Sequence, residues 1–263
     1  MPLWRWLLLF VGGTILFLLL YAFGQLTYSI EPALPKCTAI VGAALAILII
    51  YTLLVFHFEK RSVDELHLLK FFPAMGKGLL TGTLFLSAVI GIIAALGGYR
   101  VVSVQFDAVE VITQICIFFF VAVGEEILFR GIIYRMISSR WNCFVALIIS
   151  ALLFGFSHMM QPNASVWSSV AIAVEAGLML GAAYEFSGNL WVPIGIHWAW
   201  NFFEGPFYGT TVSGSEPMFS ILTPEITGKP LLTGGEFGPE ASLVAFILGL
   251  GLSIYFLGKA LSR

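Results

Sequence analysis

The chain is patterned as long apolar runs separated by short polar stretches. A helix needs about 20 mostly apolar residues to cross the hydrocarbon core of a bilayer. Eight runs answer to that: 4–23, 38–58, 74–96, 108–137, 142–158, 165–186, 191–203 and 242–261. The pattern predicts an all-α fold, a polytopic transmembrane helix bundle of about eight spans. We read 1–263 as a single membrane domain. The first run is longer than the 7–15 residue core typical of a signal peptide, although Ala22-Phe23-Gly24 would serve as a cleavage site. The fourth is longer than a bilayer core at 1.5 Å per residue, which predicts a tilt or a break. The seventh is short, as suits a helix whose polar end opens into a protein cavity.

Smaller patterns refine this. Val63, Leu66, Leu69 and Phe72, with charges between them, predict a short amphipathic helix at the membrane surface. Gly78-x-x-x-Gly82 and Gly177-x-x-x-Gly181 predict close helix packing. Trp4, Trp6, Trp141, Trp167 and Trp191 fall near predicted span ends, where interfacial anchors are expected. With eight spans, Arg5, Lys60, Arg61, Lys70, Lys77, Arg135, Arg140, Lys259 and Arg263 share one side. Lys36, Arg100 and Lys229 fall on the other. The connection from 204 to 240 holds five glutamates against Lys229 alone and is assigned to the outside. The positive-inside rule then puts both termini in the cytoplasm, and a compact chain without long termini suits a bacterial inner membrane.

Composition agrees. Charged residues make up 11% of the chain, against about 25% in soluble domains, so lipid is the expected solvent. A net charge of -2 with no Lys/Arg run leaves no footprint for nucleic acid. Cys37, Cys116 and Cys143 are few and scattered, which implies packing residues and no disulfide framework.

Ionisable groups inside a membrane are functional candidates by default. Three clusters qualify. In Gly124-Glu125-Glu126-Ile127-Leu128-Phe129-Arg130, Glu126 and Arg130 are four apart and can pair on one helix face. Glu125 points about 100° away and is left without a partner on its own helix. Phe154 and His158 are likewise four apart, as are His197 and Asn201. Counted along straight helices from the cytoplasmic end, Glu125 lies roughly 18 Å deep, His158 roughly 24 Å and His197 roughly 9 Å. A shared site therefore requires tilted or broken helices. Glu175, midway along the sixth run, is expected to pair structurally. Ser157 beside His158 invites a serine-hydrolase reading, but adjacent helix residues point in different directions.

Glu-Glu-x-x-x-Arg, then Phe-x-x-x-His, then His-x-x-x-Asn, in order on three predicted membrane helices, resembles the CPBP family. That family takes in the CAAX prenyl endopeptidases and bacteriocin-processing or immunity homologues. The resemblance covers Glu125 to Asn201, within a motif core of 108–203. It implies an intramembrane endopeptidase in which Glu125 and His158 activate a water for attack on the scissile carbonyl. His197 and Asn201 would stabilise the oxyanion, Glu126 and Arg130 would order the cavity, and Phe154 would pack beside His158. The implied partners are the bilayer and a membrane-associated or lipidated peptide or protein substrate. No cofactor is expected. Zinc held by Glu125, His158 and His197 is the alternative, although the chain lacks the His-Glu-x-x-His signature. A non-catalytic scaffold, a bacteriocin-immunity protein and an ion-coupled transporter are the competing readings, the last disfavoured by the lack of matched broken half-helices.

Overall fold

The computed structural model describes residues 30–262, together with 10–15, 18, 19, 22, 23 and 26. The first expected span, 4–23, lies largely outside the described residues, as do Trp4 and Trp6. The other seven expected spans all appear as helices. They are α1 (Ala33–Glu59), α2 (Asp64–Ala95), α3 (Ala108–Ser138), α4 (Cys143–Met160), α5 (Val166–Ser187), α6 (Trp191–Phe202) and α7 (Leu243–Leu261). All but α6 are long and apolar enough to cross a membrane, and α6 runs on as a π-helical turn, Phe203–Phe207. The protein is a polytopic helical bundle.

The helices begin where side chains can take up orphan backbone donors. Asp107 accepts from the amides of Val109 and Glu110 at the start of α3. Asn142 accepts from Val145 at α4, and Ser242 from Ala245 at α7. The expected break in the fourth run is a change of helical pitch: Ile127–Tyr134 of α3 is π-helical. Residues Ala173–Leu178 of α5 are π-helical too.

One end of the bundle gathers Lys60, Arg61, Lys70, Arg135 and Arg140. Here Arg135 and Arg61 both bridge to Glu59 and Glu65, and Tyr51 donates to Glu65 at 2.6 Å. This basic end clamps the α1–α2 connection onto α3. The opposite end carries a two-stranded antiparallel ladder absent from the sequence expectation: β1 (Tyr99–Val104) on β2 (Leu222–Ile226), with Tyr99 opposite Ile226. Arg100 pairs with Glu225 across it.

Two expectations need correction. The segment after Glu59 forms two 3-10 turns, Asp64–Leu66 and Leu68–Lys70, rather than an amphipathic helix. A tighter turn rotates the side chains, so Leu66 is buried while Leu69 and Phe72 point outward. Phe71 is the residue that packs, edge-on to Trp191 at 4.8 Å. Trp191 is itself buried and is not an interfacial anchor. The amide of Leu190 donates to Glu65 O at 2.8 Å, which tucks the α5–α6 turn beneath the 64–66 turn. Trp141 and Trp167 remain partly exposed.

The glycine patterns do mark close packing. Gly78 and Gly82 bring the α2 backbone against Val192, Gly195 and Ile196 of α6, and Gly177 sets α5 on the Ala151 backbone of α4, where a Cβ would clash. A side chain at Gly82 would strike the Ile196 carbonyl, whereas Gly76 on the same helix faces open space. Gly82→Leu should therefore lower the thermal midpoint of the purified protein, by about 1–3 kcal/mol or more for overpacking. Gly76→Leu should leave it unchanged. Equal midpoints for the two variants would show that the α2–α6 contact is not tight.

Candidate active site

The twin glutamates end the α-helical part of α3, immediately before its π segment. Their side chains diverge as one residue step on a helix requires. Glu126 is fully buried. Its Oε1 accepts from Arg130 Nη1 at 2.7 Å and from His197 Nδ1 at 2.9 Å. Arg130, also fully buried, spends Nη2 on the carbonyls of Ala176 and Gly177 at 3.2 and 2.9 Å. Its guanidinium lies over the Phe154 ring at 4.6 Å. One ion pair thus ties α3 to α4, α5 and α6. Phe154 in turn packs on His158, ring centroids 4.9 Å apart, and on His197 at 6.0 Å.

Glu125 points elsewhere. Its Oε2 is buried with no hydrogen-bond partner and sits 3.9 Å from His197 Nε2. Glu125, His158, His197 and Asn201 all line one cavity of about 340 Å³. The depth gap expected from straight helices closes for two reasons. The α5–α6 turn is sunk into the bundle, so counting from Trp191 as a membrane boundary understates the depth of His197. The π segment lets α3 fit more residues per turn between Glu125 and the basic end.

The hydrogen bonds fix the imidazoles. His158 Nδ1 lies 2.8 Å from the Phe154 carbonyl. A carbonyl can only accept, so Nδ1 carries the proton and Nε2 is the nitrogen left for the cavity. Ser157 gives its own proton to that carbonyl at 2.7 Å. It therefore forms no nucleophile–base pair with His158. His197 likewise directs Nδ1 to Glu126 and Nε2 toward Glu125. Nitrogens so arranged also suit metal ligation, yet among the described residues no three His, Cys, Asp or Glu side chains are grouped to hold one ion.

Sequence reasoning missed several residues around the cavity. Gln114 lines it from α3, and Val212, Ser213, Ser215, Glu216, Pro217 and Met218 roof it. The roof is a tight turn in which Val212 and Ser215 pair and Ser213 and Gly214 take positive φ. Glu240 holds it, accepting from Ser213 N and Oγ at 2.8 Å each. Burial pushes the Glu240 carboxyl above the usual range, and these bonds offset only part of that. The assignment of all five glutamates of 204–240 to an outer loop is corrected here. Glu204 is fully buried in the π turn after α6, where Trp200 Nε1 donates to it at 3.1 Å. Glu240 is buried as well. The clue was spacing: Glu204 follows His197 by seven residues, two helical turns along one face. Glu175 also departs from expectation. Its carboxyl is buried and makes no hydrogen bond; its neighbours' carbonyls, not its side chain, meet Arg130.

Comparison with known proteins bears on the same segment. Residues 107–203 match the family described as Type II CAAX prenyl endopeptidase Rce1-like. A Bacillus subtilis (strain 168) protein named "Putative membrane peptidase YdiL" is 28% identical over 113 residues, 43% of this chain. That alignment spans 41% of the relative's own length. No solved structure matches the chain. The segment 107–203, which holds all three motifs, is thus similar in sequence to that endopeptidase family.

Proposed function

We propose that the protein is an intramembrane endopeptidase that hydrolyses a peptide bond of a membrane-associated or lipidated substrate. One observation carries this reading: four polar side chains from three helices line a single cavity in which a Glu125 oxygen is buried and unpartnered. A carboxylate so placed, beyond hydrogen-bond reach of His197 Nε2 at 3.9 Å, is available to a water.

Glu125 takes a proton from the water as its oxygen attacks the scissile carbonyl carbon. His158, with Nδ1 fixed on Phe154, offers Nε2 as a second acceptor that aims the water. The resulting oxyanion is met by Asn201 and His197. Because His197 Nδ1 is committed to Glu126, Nε2 can donate only from the imidazolium form, and the Glu126 carboxylate is placed to balance that charge. Collapse breaks the C–N bond, and Glu125 returns its proton to the leaving amine. Preorganised donors of this kind act strongly in a site shielded from bulk water. The reaction as written uses no metal. The basic end would face the cytoplasm of a bacterial cell, with both termini on that side.

Glu125→Gln should retain the fold and lose roughly 10²–10⁴ in turnover, the usual contribution of a general base. The assay is cleavage of a quenched fluorescent peptide library by detergent-purified protein. Activity that survives a strong zinc chelator supports the glutamate mechanism, and loss of wild-type activity on chelation would replace it with a metal one. A scaffold would tolerate the near-isosteric change in every assay of phenotype.

Asn201→Ala should cut kcat by about 10²–10³ with little change in KM, as expected for a donor used in the transition state. A rise in KM alone would instead make Asn201 a ground-state binding residue.

A further inference from the structure

The proposed chemistry leaves part of the cavity unused. Gln114 lines it and is 3% exposed, yet its Nε2 has no hydrogen-bond partner. A buried amide donor without an acceptor is costly, and an occupant of the cavity would supply one. Gln114 precedes Glu125 by eleven residues on α3. Three turns of helix bring it back to nearly the same face, about 16 Å away along the axis. That is roughly the span of five residues of extended peptide, in which every residue offers a backbone carbonyl.

The mouth has its own character. Of the lining residues, Ser215, Glu216 and Met218 are exposed, so the cavity opens at the end that bears β1 and β2, opposite the basic end. On this face Arg100 is taken up by Glu225. Asp107, Glu110, Glu216 and Glu236 stand exposed there against Lys229. The contact made by Glu216 is a long one, 3.4 Å from the Thr211 hydroxyl. The field at the mouth is negative and favours a cationic ligand.

We infer that the cavity takes an extended peptide bearing a Lys or Arg, admitted at the β1–β2 end, with Gln114 binding a backbone carbonyl and Glu216 meeting the basic side chain. By the charge bias between the two ends that face is extracytoplasmic. The substrate class is therefore a basic segment of an exported peptide, or the outward loop of another membrane protein. The inference rests on the endopeptidase reading and adds the substrate to it.

The test uses the full chain in detergent and a pair of fluorescein-labelled decapeptides, one containing Lys and the other norleucine at the same position. Binding is read by anisotropy and cleavage is followed in parallel. Wild type should bind the Lys peptide roughly threefold to tenfold tighter at low salt, with the gap closing as salt rises. Glu216→Lys should reverse the order. Gln114→Leu should weaken both peptides by a similar factor, of the size of one neutral hydrogen bond, while holding or raising the thermal midpoint. A purely structural Gln114 would instead lower the midpoint and leave binding alone. Equal binding of the two peptides, or a gap unmoved by Glu216→Lys, overturns the inference. Ser215→Cys should react with a membrane-impermeant maleimide in intact cells, and labelling confined to inverted vesicles would overturn the outward mouth. Binding with charge preference but no cleavage would instead sink the endopeptidase reading and leave the site standing.

Discussion

A guanidinium with no solvent exposure constrains everything around it. Moving one such ion out of water costs several kcal/mol even after relaxation, and only good geometry repays it. Arg130 obtains that geometry from Glu126, from two carbonyls of α5 and from the face of Phe154. These partners lie on α3, α4 and α5. The same Glu126 oxygen that takes Arg130 also takes His197, so the ion pair sets the position of an imidazole on α6. Glu125, one residue step around the helix, meets the other side of the same imidazole, with Nε2 3.9 Å from its Oε2. Glu126 thus faces Arg130 and His197 Nδ1, while Glu125 faces the cavity. One buried charge pair thus gives two identical side chains different surroundings, one inside an ion pair and one on the cavity wall.

The π segments are how the backbone accommodates this. A wider turn leaves carbonyls out of the usual i to i+4 ladder, and inside a membrane each must find another donor. In α5 the carbonyls of Ala176 and Gly177, both in the π segment, accept from Arg130. In α3 the carbonyl of Gly131 accepts from Arg135. The first interaction anchors the site. The second links the same stretch of α3 to the ionic clamp at the basic end. Pitch changes and polar side chains are therefore complementary here, each supplying what the other leaves unpaired.

Most of the helices were legible because hydropathy over twenty residues is a coarse signal that tertiary packing does not disturb. The three motifs were legible because ionisable residues stand out in apolar runs, and their i, i+4 spacing states which of them share a face. Depth was not legible. It depended on where each helix begins relative to the bilayer, and α6 begins beneath the 64–66 turn rather than at a surface. The same buried turn explains why Trp191 reads as an anchor and is a core residue. Glu204 and Glu240 read as loop acids because a run of glutamates after a span resembles a solvated connection. Glu204 is held by Trp200 one turn before it, a local spacing that such a reading passes over, whereas the Glu240 contact with Ser213 spans 27 residues and has no local pattern. The β1–β2 pair did leave a trace in the alternation of Tyr99-Arg100-Val101-Val102-Ser103-Val104, but its partner lies more than a hundred residues away.

The cavity is built from two unequal sources. Its motif side chains, Glu125, His158, His197 and Asn201, sit on α3, α4 and α6, inside the segment that matches the family. Its roof, Val212 to Met218, lies outside that segment and hangs on Glu240 and on the carbonyl of Phe237, which accepts from Gly214 at 2.7 Å. Gly214 has φ +83 and its missing Cβ would collide with the Pro162 carbonyl, so the roof is also pressed against the α4–α5 connection, four residues past His158. The turn is thus fixed at Ser213 and Gly214. Chemistry carried by the helices would be common to any chain with these motifs. The turn that closes over them is held by Glu240 and Phe237 beyond the family match and by Pro162 within it. The resemblance therefore bears on the reaction more than on the substrate, and the substrate must be read from the roof and mouth of this chain itself.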